Sequence, residues 1–187
     1  ELGQKLAEGE LDQFSVASEV IIDEKAYFDV IDKKTASLMR ASIAIGAITG
    51  GAGEETVERL AHLGSLLGIC FQIRDDIFDY YGNDVGKPTG NDIREGKITL
   101  PLIHAFQHAP DPVRLEMREL AESREYTEEN ISRLLQFAKE QGGVDYAYQK
   151  MDHLLSEAEE IITNLEFDND FKTLMRLFLS YLKNRSY

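Results

Sequence analysis

The 187-residue chain has no tryptophan, one cysteine and four prolines, and its 20 lysines and arginines face 34 aspartates and glutamates. Each shortage excludes something. The single cysteine, Cys70, has no partner for an intrachain disulfide, and its neighbours Ile69 and Phe71 mark it as a buried thiol in a reducing compartment, so a cytoplasmic location is expected. A net charge of −14 repels phosphate backbones and anionic headgroups at long range, which argues against a nucleic-acid or membrane-surface protein. An anionic ligand then needs a local basic pocket or bridging cations. The longest charge-free stretch, Ala41 to Gly53, carries four glycines and is too short to span a bilayer as a helix, so no membrane span is expected. No signal-peptide pattern opens the chain. It starts on Glu1, with Leu2, Leu6 and Leu11 already at helical spacing, as a cut into a longer protein would.

What is present is helical. Hydrophobic residues make up 43% of the chain and recur at three- and four-residue intervals, with no alternating segment to compete, so the class is all-α. At this length a single domain can bury roughly 70% of the surface of its unfolded chain without a disulfide or metal. Helices are predicted over Gln4 to Phe14, Glu24 to Thr49 with a break near Lys33 to Thr35, and Glu54 to Tyr81. A short helix from Leu100 to His108 follows, then Pro112 to Ser123, Glu128 to Gln141, Val144 to Asn164 and Asn169 to Lys183. Gly142 and Gly143 stop one helix, and Thr127 with Glu128 and Glu129 starts another. The stretch from Gly82 to Lys97 is different. It holds four glycines and a proline, and it mixes Lys87, Arg94 and Lys97 with Asp84, Asp92 and Glu95. Such a loop exceeds the usual helix connection, and its charge mixture suits metal-bound phosphates.

The helix that enters this loop ends in Asp75, Asp76 and Asp79. Asp75 and Asp79 are one turn apart with Asp76 beside them, so the carboxylates share a face. Like charges at that spacing cost a few tenths of a kcal/mol per pair, and aspartate suits a helix interior poorly. On a helix that also carries Ile69, Phe71, Ile73, Ile77 and Phe78, the cluster makes sense if divalent cations neutralise it, and Mg²⁺ takes hard oxygens of this kind together with substrate phosphates. A solvated acidic face is the alternative from these residues alone.

Glu8-Gly9-Glu10, Lys34-Thr35, the block FQIRDDIFD, Gly86-Lys87, Asp92 and Gly96-Lys97 leading into TLPLIHA occur in an order and spacing that resembles the C-terminal half of the trans-isoprenyl diphosphate synthases, the polyprenyl synthase family. The resemblance covers roughly Leu6 to Ala105. It implies a C-terminal portion of the all-α isoprenoid-synthase helical bundle, with residues 1–187 forming part of one synthase domain. It further implies an enzyme that condenses isopentenyl diphosphate with an allylic prenyl diphosphate into a longer all-trans polyprenyl diphosphate, using Mg²⁺. By the same resemblance Asp75, Asp76 and Asp79 hold metal, with Asp75 foremost. Lys34, Lys87 and Lys97 contact the allylic diphosphate, and Thr35 and Gln72 line the site facing the developing carbocation. The longer-chain members, to which TLPLIHA is most similar, are usually homodimers.

The family's first aspartate-rich motif and its paired arginines are absent, so the chain carries half an active site, and the apolar faces of Ala41 to Ile48 and Ile69 to Phe78 are expected to be partly uncovered. A noncatalytic or regulatory subunit that completes a partner synthase, and a terpene cyclase-like enzyme of the same fold, are the other readings. His104 and His108 have the spacing of a helical zinc pair but lack a third ligand, so packing is the preferred reading. Tyr80 and Tyr81 read as core or as pocket lining. Leu38, Met39, Ile43 and Ile45 have the spacing of any core helix.

Overall fold

The computed structural model describes residues 3, 4, 7, 8, 22–81 and 89–184, and every regular element among them is helical. In chain order these are α1 (Glu24–Ile31), a π-helical turn (Asp32–Ala36), α2 (Ser37–Thr49), α3 (Glu54–Phe78), α4 (Asn91–Arg94), α5 (Leu100–His108), α6 (Asp111–Ser123), α7 (Glu128–Glu140), α8 (Gly143–Asn164) and α9 (Asn169–Asn184). Of the first predicted helix, Gln4 and Glu8 are helical and joined by a 2.9 Å side-chain hydrogen bond, while Phe14 lies outside the described residues.

Two predicted features take a different form. The break near Lys33 is a π-turn that carries the helix onward: the Ser37 amide reaches five residues back to the Asp32 carbonyl, and the Ser37 hydroxyl donates to the Lys33 carbonyl at 2.6 Å. Asp32 and Arg40 clamp the turn from outside, with one guanidinium nitrogen 2.7 and 3.0 Å from the two carboxylate oxygens. Helix α3 ends at Phe78, short of Tyr81, because the amides of Asp79, Tyr80 and Tyr81 each bond three residues back and wind the last turn tighter.

The described residues fall into two compact units. The first contains 29–74 and 150–184. Here α3 presents Gly64 and Gly68, one turn apart, to the backbone of the π-turn and α2: a Cβ at 64 would meet the Met39 carbonyl oxygen at 2.9 Å, and one at 68 would meet Ala36 Cα at 2.5 Å. The absence of side chains is what lets these segments approach. Leu63, Leu67 and Ile73 of α3 are wholly buried, as are Met151 and Ile162 of α8. Cys70 is buried as expected, its thiol 3.9 Å from the Met151 carbonyl. Buried Arg74 donates at 3.0 Å to the carbonyl of Lys183, capping the negative end of α9 with a cation. Helix α2 is apolar yet poorly covered: Leu38, Ile45 and Ile48 are 49%, 59% and 61% exposed, so the spacing of a core helix is not matched by burial there.

The second unit contains 22–28, 75–81 and 89–149. Leu100, Leu102 and Ile103 of α5 and Ile131 and Leu134 of α7 fill its core, with Phe106 and Phe137 rings 5.2 Å apart. The predicted start of α7 is realised by Thr127, whose hydroxyl oxygen accepts from the Asn130 amide at 3.2 Å. Between α7 and α8 the chain turns at Gly142, whose φ of 73° suits glycine, and Gly143 lies against the Pro101 carbonyl with no room for a side chain.

Candidate active site

Helix α3 delivers Gln72, Asp75 and Asp76, and Asp79 stands one residue beyond its end. In the first unit the π-turn brings Thr35 to Gln72, the hydroxyl donating to the amide oxygen at 3.1 Å. These two residues, 37 apart in sequence, are joined as a pair. Lys34 is half-buried in the same turn.

In the second unit the three aspartates part company. Asp75 is exposed. Asp76 is 5% exposed and accepts a 2.6 Å hydrogen bond from the Tyr27 hydroxyl of α1. Asp79 takes the backbone N–H of Asn91 on one carboxylate oxygen at 2.9 Å and that of Asp92 on the other at 3.0 Å, and its carbonyl accepts from Gly90 at 3.1 Å. An aspartate before the loop therefore serves as cap for a helix after it, and the stretch predicted as one irregular loop closes with α4. Burial raises the Asp79 carboxyl above the usual carboxylate range although the two amides oppose it.

Asp92 sits where the repulsion collects. Burial, then the charge of Asp79, push its carboxyl up to about 6, against the lowering effect of Lys97. The Lys97 ammonium is 2.5 Å from Glu95 and 3.6 Å from Asp92. Burial lowers the Lys97 pKa, but the Glu95 hydrogen bond and the Asp92 field outweigh it and leave the ammonium held in the charged form. Lys87 and Gly86 lie outside the described residues.

Among the described residues no group of three His, Cys, Asp or Glu side chains forms a ready cage. The carboxylates are hard oxygen donors with no soft ligand among them, and Asp79 and Asp92 are both raised by burial and by neighbouring aspartate charge. That suits Mg²⁺, which commonly takes one or two carboxylates and completes its shell with water and phosphate.

The other candidates resolve into packing. The His104 ring stacks on His108 at 4.1 Å and on Tyr146 at 4.2 Å, and Tyr146 donates to the Glu24 carboxylate at 2.9 Å. Tyr80 is buried with its hydroxyl bonded to Thr99, whereas Tyr81 is exposed with Lys139 5.5 Å above its ring. Sequence reasoning missed Tyr27, and it placed Asp92 and Glu95 in a charge mixture suited to metal-bound phosphates without pairing them to Lys97. The latter two carried a signal, acidic residues spaced around Lys97, but Tyr27 reaches Asp76 across 49 residues and nothing local marks it.

Comparison with known proteins bears on the whole arrangement. The family model described as polyprenyl synthetase matches residues 1–138. The octaprenyl diphosphate synthase of Haemophilus influenzae is 34% identical over 187 residues, covering 97% of this chain and 55% of that protein. Among solved structures, the geranylgeranyl pyrophosphate synthase from Bacteroides thetaiotaomicron superposes with a TM-score of 0.90 at 41% identity, covering 98% of this chain and 61% of that one. The polyprenyl synthase from Caulobacter crescentus, solved with calcium and isoprenyl diphosphate, gives 0.87 at 29% identity, covering 99% and 57%. The chain spans about half the length of the curated relatives it matches. Because the family model takes in the π-turn, the aspartates of α3 and the lysine-bearing segment after them, the chain belongs to the polyprenyl synthetase family.

Proposed function

We propose that this chain provides the second-aspartate-motif side of a prenyl-elongating synthase, which condenses isopentenyl diphosphate with an allylic prenyl diphosphate into a longer all-trans polyprenyl diphosphate. The observation that carries the reading is the family match over 1–138, which contains every residue given a role here. On this reading the chain is the C-terminal part of one synthase domain, working in the cytoplasm as part of a homodimer. No helix among the described residues is long and apolar enough to cross a membrane.

The residues divide the work by charge. As the allylic C–O bond breaks, negative charge gathers on the leaving diphosphate and positive charge on the hydrocarbon. Lys34, Lys87 and Lys97 bind the diphosphate, and Lys97 exchanges its Glu95 and Asp92 partners for phosphate oxygens. Asp75 and Asp76, with Asp79, hold Mg²⁺, which when bound supplies Lewis-acid stabilisation of the departing diphosphate. Thr35 and Gln72 turn their paired dipoles toward the hydrocarbon, where oriented dipoles in a dry site tolerate the carbocation.

The test is turnover of labelled isopentenyl diphosphate with an allylic substrate and Mg²⁺. The 187-residue chain alone is expected to be inactive, and activity is expected when a chain carrying the first aspartate-rich motif is supplied. In that reconstituted enzyme Asp75→Asn should lower turnover by about two to three powers of ten, the usual cost of removing one donor from a preorganised site. Near-parental turnover by Asp75→Asn would refute the metal role.

A further inference from the structure

Tyr27 is 7% exposed, on a helix that carries no aspartate of the motif, and its hydroxyl donates to Asp76 Oδ2 at 2.6 Å. That distance is the one usual for an O–H bond to an ionised carboxylate and is shorter than a bond between neutral groups. The ring is braced edge-on by Phe28, with centroids 5.2 Å apart, so the hydroxyl is fixed by packing as well as by the bond. An ordinary phenol is protonated near neutral pH, so toward the carboxylate the group is the donor. A phenylalanine would fill nearly the same space at no polar cost. A stability role would be met as well or better by an apolar pair, since burying a carboxylate costs more than one hydrogen bond returns.

We propose that Tyr27 is a positioning residue, fixing the rotation of the Asp76 carboxylate so that it serves the divalent cation. The inference rests on the metal reading above and adds to it the residue that holds one ligand in place, as outer partners of metal-binding carboxylates generally do. An aspartate carboxylate otherwise swings about its last torsion, and each cation bound must first stop that motion. Tyr27 stops it beforehand.

The experiment titrates Mn²⁺ into the protein with inorganic pyrophosphate present, followed by electron paramagnetic resonance, with circular dichroism to check the fold. Tyr27→Phe should weaken Mn²⁺ binding about tenfold, the low end of the cost of losing an outer partner. In an Asp76→Asn background the same change should cost less than about twofold, since the carboxylate it holds is gone. Incorporating p-aminophenylalanine at position 27, which keeps ring and donor, should restore affinity to within about threefold of the parent. If Tyr27→Phe binds like the parent while Asp75→Asn does not, the Tyr27 assignment falls and the metal reading stands. If Asp75→Asn also binds like the parent, the metal reading itself falls. Should Tyr27→Phe fail to fold, the p-amino variant decides: a tenfold loss there, with the parent's circular dichroism, overturns the proposal.

Discussion

Adding one methyl group at position 68 should destabilise the protein although alanine is the better helix former. The Cβ of Gly68→Ala would lie 2.5 Å from Ala36 Cα and 3.0 Å from Ala36 Cβ, and Ala36 is wholly buried. Restoring ordinary contact at 3.4 Å requires α3 and the π-turn to part by about 0.9 Å. Thr35 precedes Ala36, and Gln72 lies one turn beyond Gly68, so the same displacement stretches their 3.1 Å hydrogen bond to about 4.0 Å, beyond hydrogen-bonding range. Overpacking of this kind costs about 1–3 kcal/mol, against which the helix propensity of alanine returns about 1 kcal/mol. A net loss of about 1 kcal/mol follows. Gly46, exposed on α2 with nothing within 4 Å of a built Cβ, is the matched control, and Gly46→Ala should gain about 0.5–1 kcal/mol. Urea unfolding followed by far-ultraviolet circular dichroism separates the two variants by about 2 kcal/mol. If Gly68→Ala is as stable as Gly46→Ala, the close approach of the π-turn to α3 is wrong, and with it the account of how Thr35 reaches Gln72.

Asp79→Ala removes the carboxylate that accepts both the Asn91 and Asp92 amides, so those amides should exchange faster with solvent, and about 1–2 kcal/mol of stability should be lost. Unchanged exchange would show that α4 stands without its cap. Because Asp92 is raised to about 6 from the ordinary value near 4, the folded state binds its proton more tightly than the unfolded one; its favourable contribution is complete below about pH 4 and lost as pH rises through 6. In chelator, Asp92→Asn should therefore flatten the fall of unfolding free energy between pH 4 and 7, by up to roughly 3 kcal/mol; a parental slope in the variant, read by urea unfolding at each pH, would refute this. Cys70, wholly buried and with its thiol pushed up to about 12 by burial and then by the charge of Asp152, should react with iodoacetamide only at the rate of unfolding. Rapid modification of the native protein would contradict its place in the core.

Helix boundaries in the second half of the chain were legible because glycine, proline and threonine punctuate them: Thr127 caps α7 and Gly142 turns the chain into α8. The interruption at Lys33 was visible, but a hydrophobic pattern cannot tell a broken helix from one widened by a residue. What distinguishes it is the Ser37 amide, which reaches five residues back to the Asp32 carbonyl. The aspartates were found as a cluster because their spacing is local, whereas their division into an exposed, a buried and a capping carboxylate is set by partners 49, 12 and 13 residues away. The burial of Cys70 followed from its neighbours, and the exposure of Ile45 and Ile48 matches the partly uncovered face expected over Ala41 to Ile48. The same expectation for Ile69 to Phe78 fails, with Ile73 and Ile77 wholly buried, because periodicity reports which residues share a face and not what covers it.

The bond from Arg74 to the carbonyl of Lys183 has a practical side. A cut made before Lys183, or a fusion that unwinds the last turn of α9, reaches across 109 residues and strips that acceptor from a buried guanidinium one position ahead of Asp75. Losing a charge-assisted hydrogen bond in the interior costs about 1.5–3 kcal/mol. Any change that loosens the last turn of α9 is therefore expected to be felt first at Arg74, however far from it in sequence the change is made.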